Sequence, residues 1–405
     1  MRRLFVLVIN VGLLAAGCGD AAVTTTSTAA VPQGTTATTA ATESVLPFGG
    51  ELQSILDQVL DADNAMGFTL AVMVPGHEPW LGVVGESEPG VPITTGMAFG
   101  AGSISKSFIA ALVLQLAEEG KLSLDDQLQE WLPDYPNVDN TATIRQLLNH
   151  TSGVFQPNHH PDFFSTVFAD GTRVWSDEEI LSQFLMEPYS PKGTEWHYSN
   201  AGYTLLGQLI VEATGSSVSA ELRHRFFEPL DLATAFFLTE ETAPGEVAEG
   251  WFDISPFAPE IDADPDFEPF SQFPWTTTMP AAGGVFANAE DLATWAQAMF
   301  HDQRILTSES LDQMLQFVAP DPDDKRGAIV AGYGLGAMTF NPELFDGALV
   351  IGHSGGALFY GAVSLYLPDY GVTIGAAQNF DNDDTFGSIL AQVVSLITTE
   401  LEPAP

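Results

Sequence analysis

Predicted strands lie near both ends of this chain, whereas the residues between them carry mainly helical patterns. Apolar and β-branched runs bounded by turn residues predict strands over residues 68–74 and 80–85. Further strands are expected near residues 334–340, 348–352, 357–367 and 372–377. Apolar residues at helical spacing occur before and after these strands, over 51–60 and 389–398. This order predicts an α/β fold in which both ends of the chain build one sheet, flanked by terminal helices, around an inserted helical domain.

The composition supports a large folded unit. The chain has 405 residues, of which 45% are hydrophobic, which is enough for a sizeable core. We expect this unit to span residues 46–402, with a sheet part near 46–105 and 280–402 and a helical part near 106–279. An acidic, Pro- and Phe-rich stretch over 244–274 is expected to be loop, and its Phe-rich part a lid or packing segment.

The N-terminal residues are typical of an exported protein. Arg2 and Arg3 precede an apolar run over 4–14 that is too short to span a bilayer. The run ends in Leu14-Ala15-Ala16-Gly17-Cys18, which resembles the lipobox of bacterial lipoproteins. Cys18 is the only cysteine, so we expect a signal peptide over 1–17 and a lipid anchor on Cys18, with ordinary secretion as the alternative. The Thr/Ala-rich residues 18–45 predict a flexible linker that leaves the folded unit on the outer side of the cell membrane.

The charge balance excludes one class of partner. The chain has 53 acidic and only 12 basic residues, and its formal net charge is -41. Such a surface repels phosphate backbones and anionic membranes. We therefore expect no nucleic-acid partner, and membrane contact only through the lipid anchor. The oligomeric state is left open.

A glycine-rich approach over 99–102 leads into Ser103-Ile104-Ser105-Lys106 and then into an apolar run over 109–117. The run predicts a buried helix. Residues three apart share a helix face, so the Lys106 amine is expected beside the Ser103 hydroxyl. Desolvation and cationic neighbours lower the pKa of a lysine, which can then activate a serine nucleophile. Taken alone, Ser103 could equally be a helix N-cap.

Two further segments supply candidate partners. Tyr198-Ser199-Asn200 precedes an apolar helical run. A phenol whose pKa is lowered by Lys106 could pass protons to and from Ser103, and Asn200 could bind both a substrate amide and the lysine. The alternative is a tyrosine in an ordinary turn.

The other segment, Gly352-His353-Ser354-Gly355-Gly356, ends a predicted strand. Its small residues allow close approach of the backbone to a ligand. We expect the Gly356 amide to pair with the Ser103 amide in an oxyanion hole.

These segments occur in a recognisable order. Ser103-Ile104-Ser105-Lys106, Tyr198-Ser199-Asn200 and His353-Ser354-Gly355 together resemble the serine β-lactamase and D-alanyl-D-alanine carboxypeptidase family, in its class C-like branch. Residues 144–153 and 280–285 also resemble segments of this family, and the similarity covers about 52–397. The resemblance implies a β-lactamase/transpeptidase-like fold with an antiparallel sheet. It implies acyl transfer through a covalent enzyme ester, with neither a metal nor an organic cofactor.

The resemblance also implies a role for each motif residue. Ser103 would be the acylated nucleophile, Lys106 its activator, Tyr198 the general acid and base, and Asn200 a substrate ligand. His353, Ser354 and Gly355 occupy the Lys-Thr-Gly motif of the family and would also contact substrate. The substitution of histidine for lysine implies a weaker hold on a substrate carboxylate.

The expected substrate is an amide or ester. A D-Ala-D-Ala-type peptide or a β-lactam-like compound is the first expectation, and a carboxylic ester is the alternative. A non-catalytic lipoprotein that binds peptidoglycan or another ligand is a second alternative, because fold does not fix function.

Two other sites are disfavoured. Gly352-His353-Ser354-Gly355-Gly356 also matches Gly-x-Ser-x-Gly, but an α/β-hydrolase needs a later histidine and none follows His353. A chymotrypsin-type triad does not fit the helical middle of the chain. His159, His160 and Asp162 lack the spacing of a zinc site, so no metal is expected there.

Overall fold

The computed structural model describes residues 45–61, 67–251, 273–320, 325–356, 358–380 and 383–403. The predicted signal peptide, the expected lipid attachment site Cys18, nearly all of the predicted linker and the Phe-rich segment 252–272 lie outside these residues. None of the helices described is long and apolar enough to cross a membrane.

Helices occupy both ends and most of the middle of the described chain. The α-helices are α1 (Gly49–Leu56), α2 (Ser105–Glu118), α3 (Ile144–Leu148), α4 (Phe163–Val167), α5 (Asp177–Phe184), α6 (Asn200–Thr214), α7 (Val218–Leu222), α8 (Phe273–Thr278), α9 (Pro280–Gly283), α10 (Ala289–Ala296), α11 (Ser308–Met314) and α12 (Asp383–Glu400). The strands are β1 (Gly67–Met73), β2 (Trp80–Glu88), β3 (Val91–Pro92), β4 (Phe99–Gly100), β5 (Phe236–Phe237), β6 (Val285–Ala287), β7 (Val330–Tyr333), β8 (Met338–Phe340), β9 (Ile351–Gly356), β10 (Gly361–Leu367) and β11 (Val372–Gln378).

The larger described sheet has eight strands in the order β3-β2-β1-β11-β10-β9-β8-β7. Each strand runs antiparallel to its neighbours. Next to the middle of the sheet, Phe68 on β1 lies opposite Gln378 on β11, so strands from the two ends of the chain pair directly. Together with the surrounding helices, this sheet confirms the predicted fold class. A smaller sheet, in the order β4-β6-β5, lies beside the start of α2.

The central strands of the sheet are buried throughout because other elements cover both of its faces. On β1, Leu70 and Val72 belong to a core that also includes Leu52 of α1 and Val393 of α12. The intervening Ala71 instead packs with α10. This alternation is the period-two pattern of a strand. The sheet is therefore held between the terminal helices and the layer that contains α2 and α10.

Three predicted strands differ from the structure, and the one expected near 357–367 begins only at Gly361. Residues 334–340 do not form one strand, because β7 and β8 make an antiparallel hairpin and Gly336 turns between them with φ of +73°. The strand expected near 348–352 begins later, at Ile351, and runs to Gly356. The His353 segment therefore lies inside a strand rather than after it.

Candidate active site

Ser103 lies in a single 3₁₀ turn, Gly102–Ile104, immediately before α2. Gly102 has φ of +51°, and a Cβ atom there would lie 3.2 Å from the Gly356 carbonyl oxygen. Glycine suits this position because it accepts the left-handed conformation and needs no side-chain space. α2 is buried on nearly all sides, as expected for a helix that is apolar all round. The candidate nucleophile therefore starts from the end of a rigid core helix.

Hydrogen bonds from neighbouring elements hold this turn. The Ser105 hydroxyl accepts a hydrogen bond from the Val285 amide at 3.0 Å, and the Ser107 hydroxyl accepts one from the Trp295 indole at 2.8 Å. Both serine side chains are buried. Satisfied buried polar groups of this kind fix local geometry. The position of Ser103 is thus tied to β6 and α10.

Lys106 is fully buried beside Ser103. Its Nζ lies 3.0 Å from the Ser103 Oγ and donates to the Ala282 carbonyl at 2.8 Å. Burial holds the pKa of Lys106 well below its usual range, and the positive charge of Arg326 lowers it further. The uncharged amine has a lone pair that can take a proton from Ser103.

Tyr198 contacts the same Ser103 oxygen. Its hydroxyl donates to the Ser103 Oγ at 2.8 Å. Burial raises the pKa of Tyr198 to about 12, against smaller opposite effects of Ser103 and Arg326. The prediction that Lys106 lowers this pKa is therefore wrong, because burial dominates and a neutral amine provides no positive charge. Tyr198 is a protonated donor at ordinary pH.

The loop that carries Tyr198 is fixed through the backbone. The Ser199 amide donates to His150 Nδ1 at 3.2 Å, and the Asn200 amide donates to Gln156 Oε1 at 2.6 Å. Asn200 lines the cavity next to Ser103, and its buried Oδ1 has no hydrogen-bond partner among the described residues. That oxygen is available to a substrate N–H group. Among the described residues, the hydrogen-bond partners of the Lys106 amine are Ser103 and Ala282, so the expected bond from Asn200 to the lysine is not seen.

His353 occupies a different environment from the one expected. It is 1% exposed, its Nδ1–H donates to the Ser354 carbonyl at 2.6 Å, and its Nε2 accepts from the Tyr333 hydroxyl at 3.0 Å. Burial lowers the pKa of His353 to about 3, and proximity to Lys106 contributes. The ring is neutral, both nitrogens are engaged, and it does not line the described cavity. This placement disfavours the predicted contact between His353 and a substrate carboxylate.

Two later residues of this strand, Gly355 and Gly356, lie close to the nucleophile. A Cβ atom at Gly355 would lie 2.0 Å from the Ala101 oxygen and 2.9 Å from the Ser103 nitrogen. Gly356 lines the cavity together with Ser103, as a shared oxyanion hole requires. The Ser354 hydroxyl is directed to the sulfur of Met338, at 3.8 Å.

An open cavity lies in front of Ser103. Its walls combine small and aromatic residues with a few hydroxyl and amide groups. They are Gly100, Gly102, Ser103, Asn200, Trp275, Thr276, Thr278, Met279, Ala282, Gly283, Phe286, Gly356 and Tyr360. This described lining includes no lysine or arginine. No group of three or more potential metal ligands occurs within the part of the chain that the structure describes.

Three residues that lie close to the Tyr198 ring were not identified from the sequence. The His150 ring lies 4.2 Å from the Tyr198 ring and 4.6 Å from the Tyr333 ring, between centroids. The Arg326 guanidinium lies 4.5 Å from the centroid of the Tyr198 ring. The family-like segment 144–153 could have pointed to His150. Arg326 and Tyr333 lie in no motif that the sequence analysis singled out.

Comparison with known proteins matches residues 52–398 to the family described as Beta-lactamase. Penicillin-binding protein 4 of Amycolatopsis lactamdurans is 29% identical over 383 residues, which cover 87% of this chain and 92% of that protein. The structure of D-amino acid amidase from Ochrobactrum anthropi SV3 in complex with D-phenylalanine is 26% identical, with a TM-score of 0.75. The match covers 87% of this chain and 99% of the amidase chain. Esterase EstB from Burkholderia gladioli is 28% identical over 203 residues, which cover 47% of this chain and 52% of the esterase.

The mixed α/β fold and the Ser-Lys-Tyr site define the class as a serine hydrolase. Within that class, the chain belongs to the β-lactamase family. The family and the enzyme class predicted from the sequence are both confirmed.

Proposed function

We propose that this protein hydrolyses an amide or ester through a covalent acyl-enzyme formed on Ser103. The observation that carries the proposal is the position of the Ser103 oxygen between the buried Lys106 amine at 3.0 Å and the Tyr198 hydroxyl at 2.8 Å. A neutral amine and a protonated phenol at the same oxygen supply the base and the acid that acyl transfer needs.

The hydrogen bonds suggest the path that protons follow during acyl transfer. Tyr198 donates to Ser103, and Lys106 donates to the Ala282 carbonyl. The Lys106 nitrogen lies 3.0 Å from the Ser103 oxygen, so the lone pair of the uncharged amine can take the Ser103 proton. As the Ser103 oxygen bonds to the substrate carbonyl carbon, its proton passes to Lys106. The leaving group then takes the Tyr198 proton, which Lys106 replaces. Water attacks the ester by the same route in reverse, while the Ser103 and Gly356 amides stabilise the oxyanion.

The first substrate class is an amide of a D-amino acid, including peptides that end in D-Ala-D-Ala and the related β-lactams. Support comes from the similarity to a penicillin-binding protein and to a D-amino acid amidase. Asn200 adds a local reason, because it lines the cavity and its Oδ1 has no partner among the described residues, so this oxygen is a candidate acceptor for a substrate N–H.

An ester or amide that lacks a free carboxylate is the second class. His353 is neutral and turned into the protein, and the described cavity lining has no lysine or arginine. A carboxylate would therefore enter without a cationic partner there, which is unfavourable in a partly desolvated site. The similarity to an esterase agrees with this class.

A substrate panel tests these classes. Matched D-phenylalanine amide, D-phenylalanine methyl ester, a D-Ala-D-Ala peptide and a penicillin would be given to the wild type and to Ser103→Ala. We expect turnover of at least the amide or the ester, and none by the variant. Equal turnover by both proteins would contradict the role of Ser103. Binding of all four compounds without turnover would favour the non-catalytic alternative.

We also infer that the mature protein is exported and carries a lipid on Cys18. Support comes from the short apolar run, the lipobox-like residues and the single cysteine. Cys18→Ser expressed in a bacterial host should move from the membrane fraction to the soluble fraction. An unchanged distribution would contradict the anchor, and release of both proteins into the medium would favour ordinary secretion.

A further inference from the structure

Arg326 brings a positive charge next to the Tyr198 ring. It lies in the 3₁₀ segment Lys325–Ala328, just before β7, and it is half-buried. Its guanidinium lies 4.5 Å from the centroid of the Tyr198 ring, within the range of a cation–π contact. The Lys106 Nζ lies 4.9 Å from the same centroid, and the ring carries the hydroxyl that donates to Ser103. The chain has only 12 basic residues against 53 acidic ones, so a positively charged side chain beside the candidate site is a rare feature of this sequence.

The other titratable groups around Lys106 are neutral at ordinary pH. Burial raises the pKa values of Tyr198, Tyr203 and Tyr333 and lowers those of His150 and His353. These groups come from the loop before α6, from α6, from β7, from the segment after α3 and from β9. The Ala282 carbonyl of α9 completes the surroundings of the amine. Within this described shell, Arg326 is the group that carries a permanent charge.

We propose that Arg326 is a positioning residue, whose guanidinium orients the Tyr198 phenol toward Ser103 and keeps the Lys106 amine uncharged so that it can accept the Ser103 proton. The inference rests on the proposed function. Two like charges in a poorly solvated site repel each other, so the guanidinium disfavours protonation of the lysine. The guanidinium is always charged, which makes this effect independent of pH.

The sign of the effect can be worked out. Lys106 acts as a base only when it is deprotonated, so reactivity rises as the pH passes through the pKa of Lys106. Loss of the Arg326 charge raises that pKa and moves the acid limb of the pH profile to higher pH. A shift of about one pH unit would make the variant about tenfold slower below the limb and nearly unchanged on the plateau. A merely structural role would lower the whole profile without moving it.

The experiment follows phosphonylation of Ser103 by a fluorophosphonate as a function of pH in the purified full-length protein. The variants are Arg326→Gln, Arg326→Met and Arg326→Lys. Arg304→Gln is the matched control, because it removes the same charge from an exposed arginine whose described ion-pair partner is Asp302. Thermal unfolding of each variant accompanies the kinetics, and the two neutral variants guard against a failure of either one to fold.

The expected result is an acid limb at higher pH in both neutral variants, with the wild-type position in Arg326→Lys and in Arg304→Gln. An unmoved limb in a folded neutral variant would overturn the role of Arg326 while leaving the nucleophile intact. A limb displaced equally by Arg304→Gln would also overturn it, because net charge alone would then explain the shift. Failure of the wild type to be labelled at Ser103 would instead reject the proposed function and this inference together.

Discussion

Gly355→Ala should push strand β9 away from the turn that carries Ser103, without changing any of the proposed reactive side chains. An added Cβ would lie 2.0 Å from the Ala101 oxygen and 2.9 Å from the Ser103 nitrogen, whereas real Cβ atoms essentially never come within 3.0 Å of other heavy atoms. Both neighbours are backbone atoms that cannot rotate away. Strand β9 and the Ser103 turn must therefore separate by about 1 Å, which is the scale of misplacement that costs about 100-fold in rate.

The same clash should destabilise the fold. Overpacking of a well-packed site typically costs about 1–3 kcal/mol of unfolding free energy. Gly356→Ala is the matched control for stability, because a Cβ there meets nothing within 4 Å and the residue is the next one on the same strand. We expect its unfolding free energy to stay within about 0.5 kcal/mol of the wild type.

The assay combines urea unfolding with the second-order rate of phosphonylation at Ser103, measured with a small fluorophosphonate so that the cavity walls matter little. Gly355→Ala should be slower and less stable. Wild-type values for both quantities in this variant would refute the close approach of β9 to the Ser103 turn. Equal destabilisation by Gly356→Ala would refute the steric explanation.

Further predictions concern the acid, the buried histidine and the Asn200 amide. Tyr198→Phe should lower kcat/KM for an ester by about 10²–10⁴ and unfolding free energy by only about 1 kcal/mol, and near-normal kcat/KM would exclude Tyr198 as the proton donor. Because the pKa of His353 is lowered to about 3, its stabilising contribution is complete above about pH 6.5 and is lost as the pH falls toward 3, by about 1.4 kcal/mol per pH unit. His353→Gln should flatten this dependence in urea unfolding, whereas the exposed control His224→Gln should not, and identical slopes would refute a buried neutral ring. Asn200→Ala should raise KM for an amide more than for the matching ester, and an equal effect on both would argue against a bond to the substrate N–H.

The main sheet was predictable because its long strands carry strong local signals. Residues 68–74 and 372–377 are mostly apolar, and every second residue of each run belongs to the same buried core. The small sheet was not predicted, since Phe99–Gly100 and Phe236–Phe237 are too short to show any period. The hairpin over Val330–Phe340 was missed because Gly336 turns the chain between β7 and β8, inside a stretch that was predicted as one strand.

The contacts between the residues of the candidate site were partly predictable from the sequence. The spacing of Ser103 and Lys106 follows from helix geometry, so their contact could be expected from four residues alone. The protonation states could not, because burial depends on residues far apart in the chain. Burial raised the pKa of Tyr198 and turned His353 into a neutral ring bonded to Tyr333. Arg326 lies against the Tyr198 ring, although no sequence pattern connects the two residues.

The central claim is that Ser103 is the nucleophile of this β-lactamase family member. Intact mass and peptide mapping after reaction with a fluorophosphonate test it most directly, with Ser103→Ala and Lys106→Met treated in parallel. The account predicts a single adduct on Ser103 in the wild type, much slower labelling in Lys106→Met and none in Ser103→Ala. An adduct on another residue, or a folded wild-type protein that remains unlabelled, would contradict it.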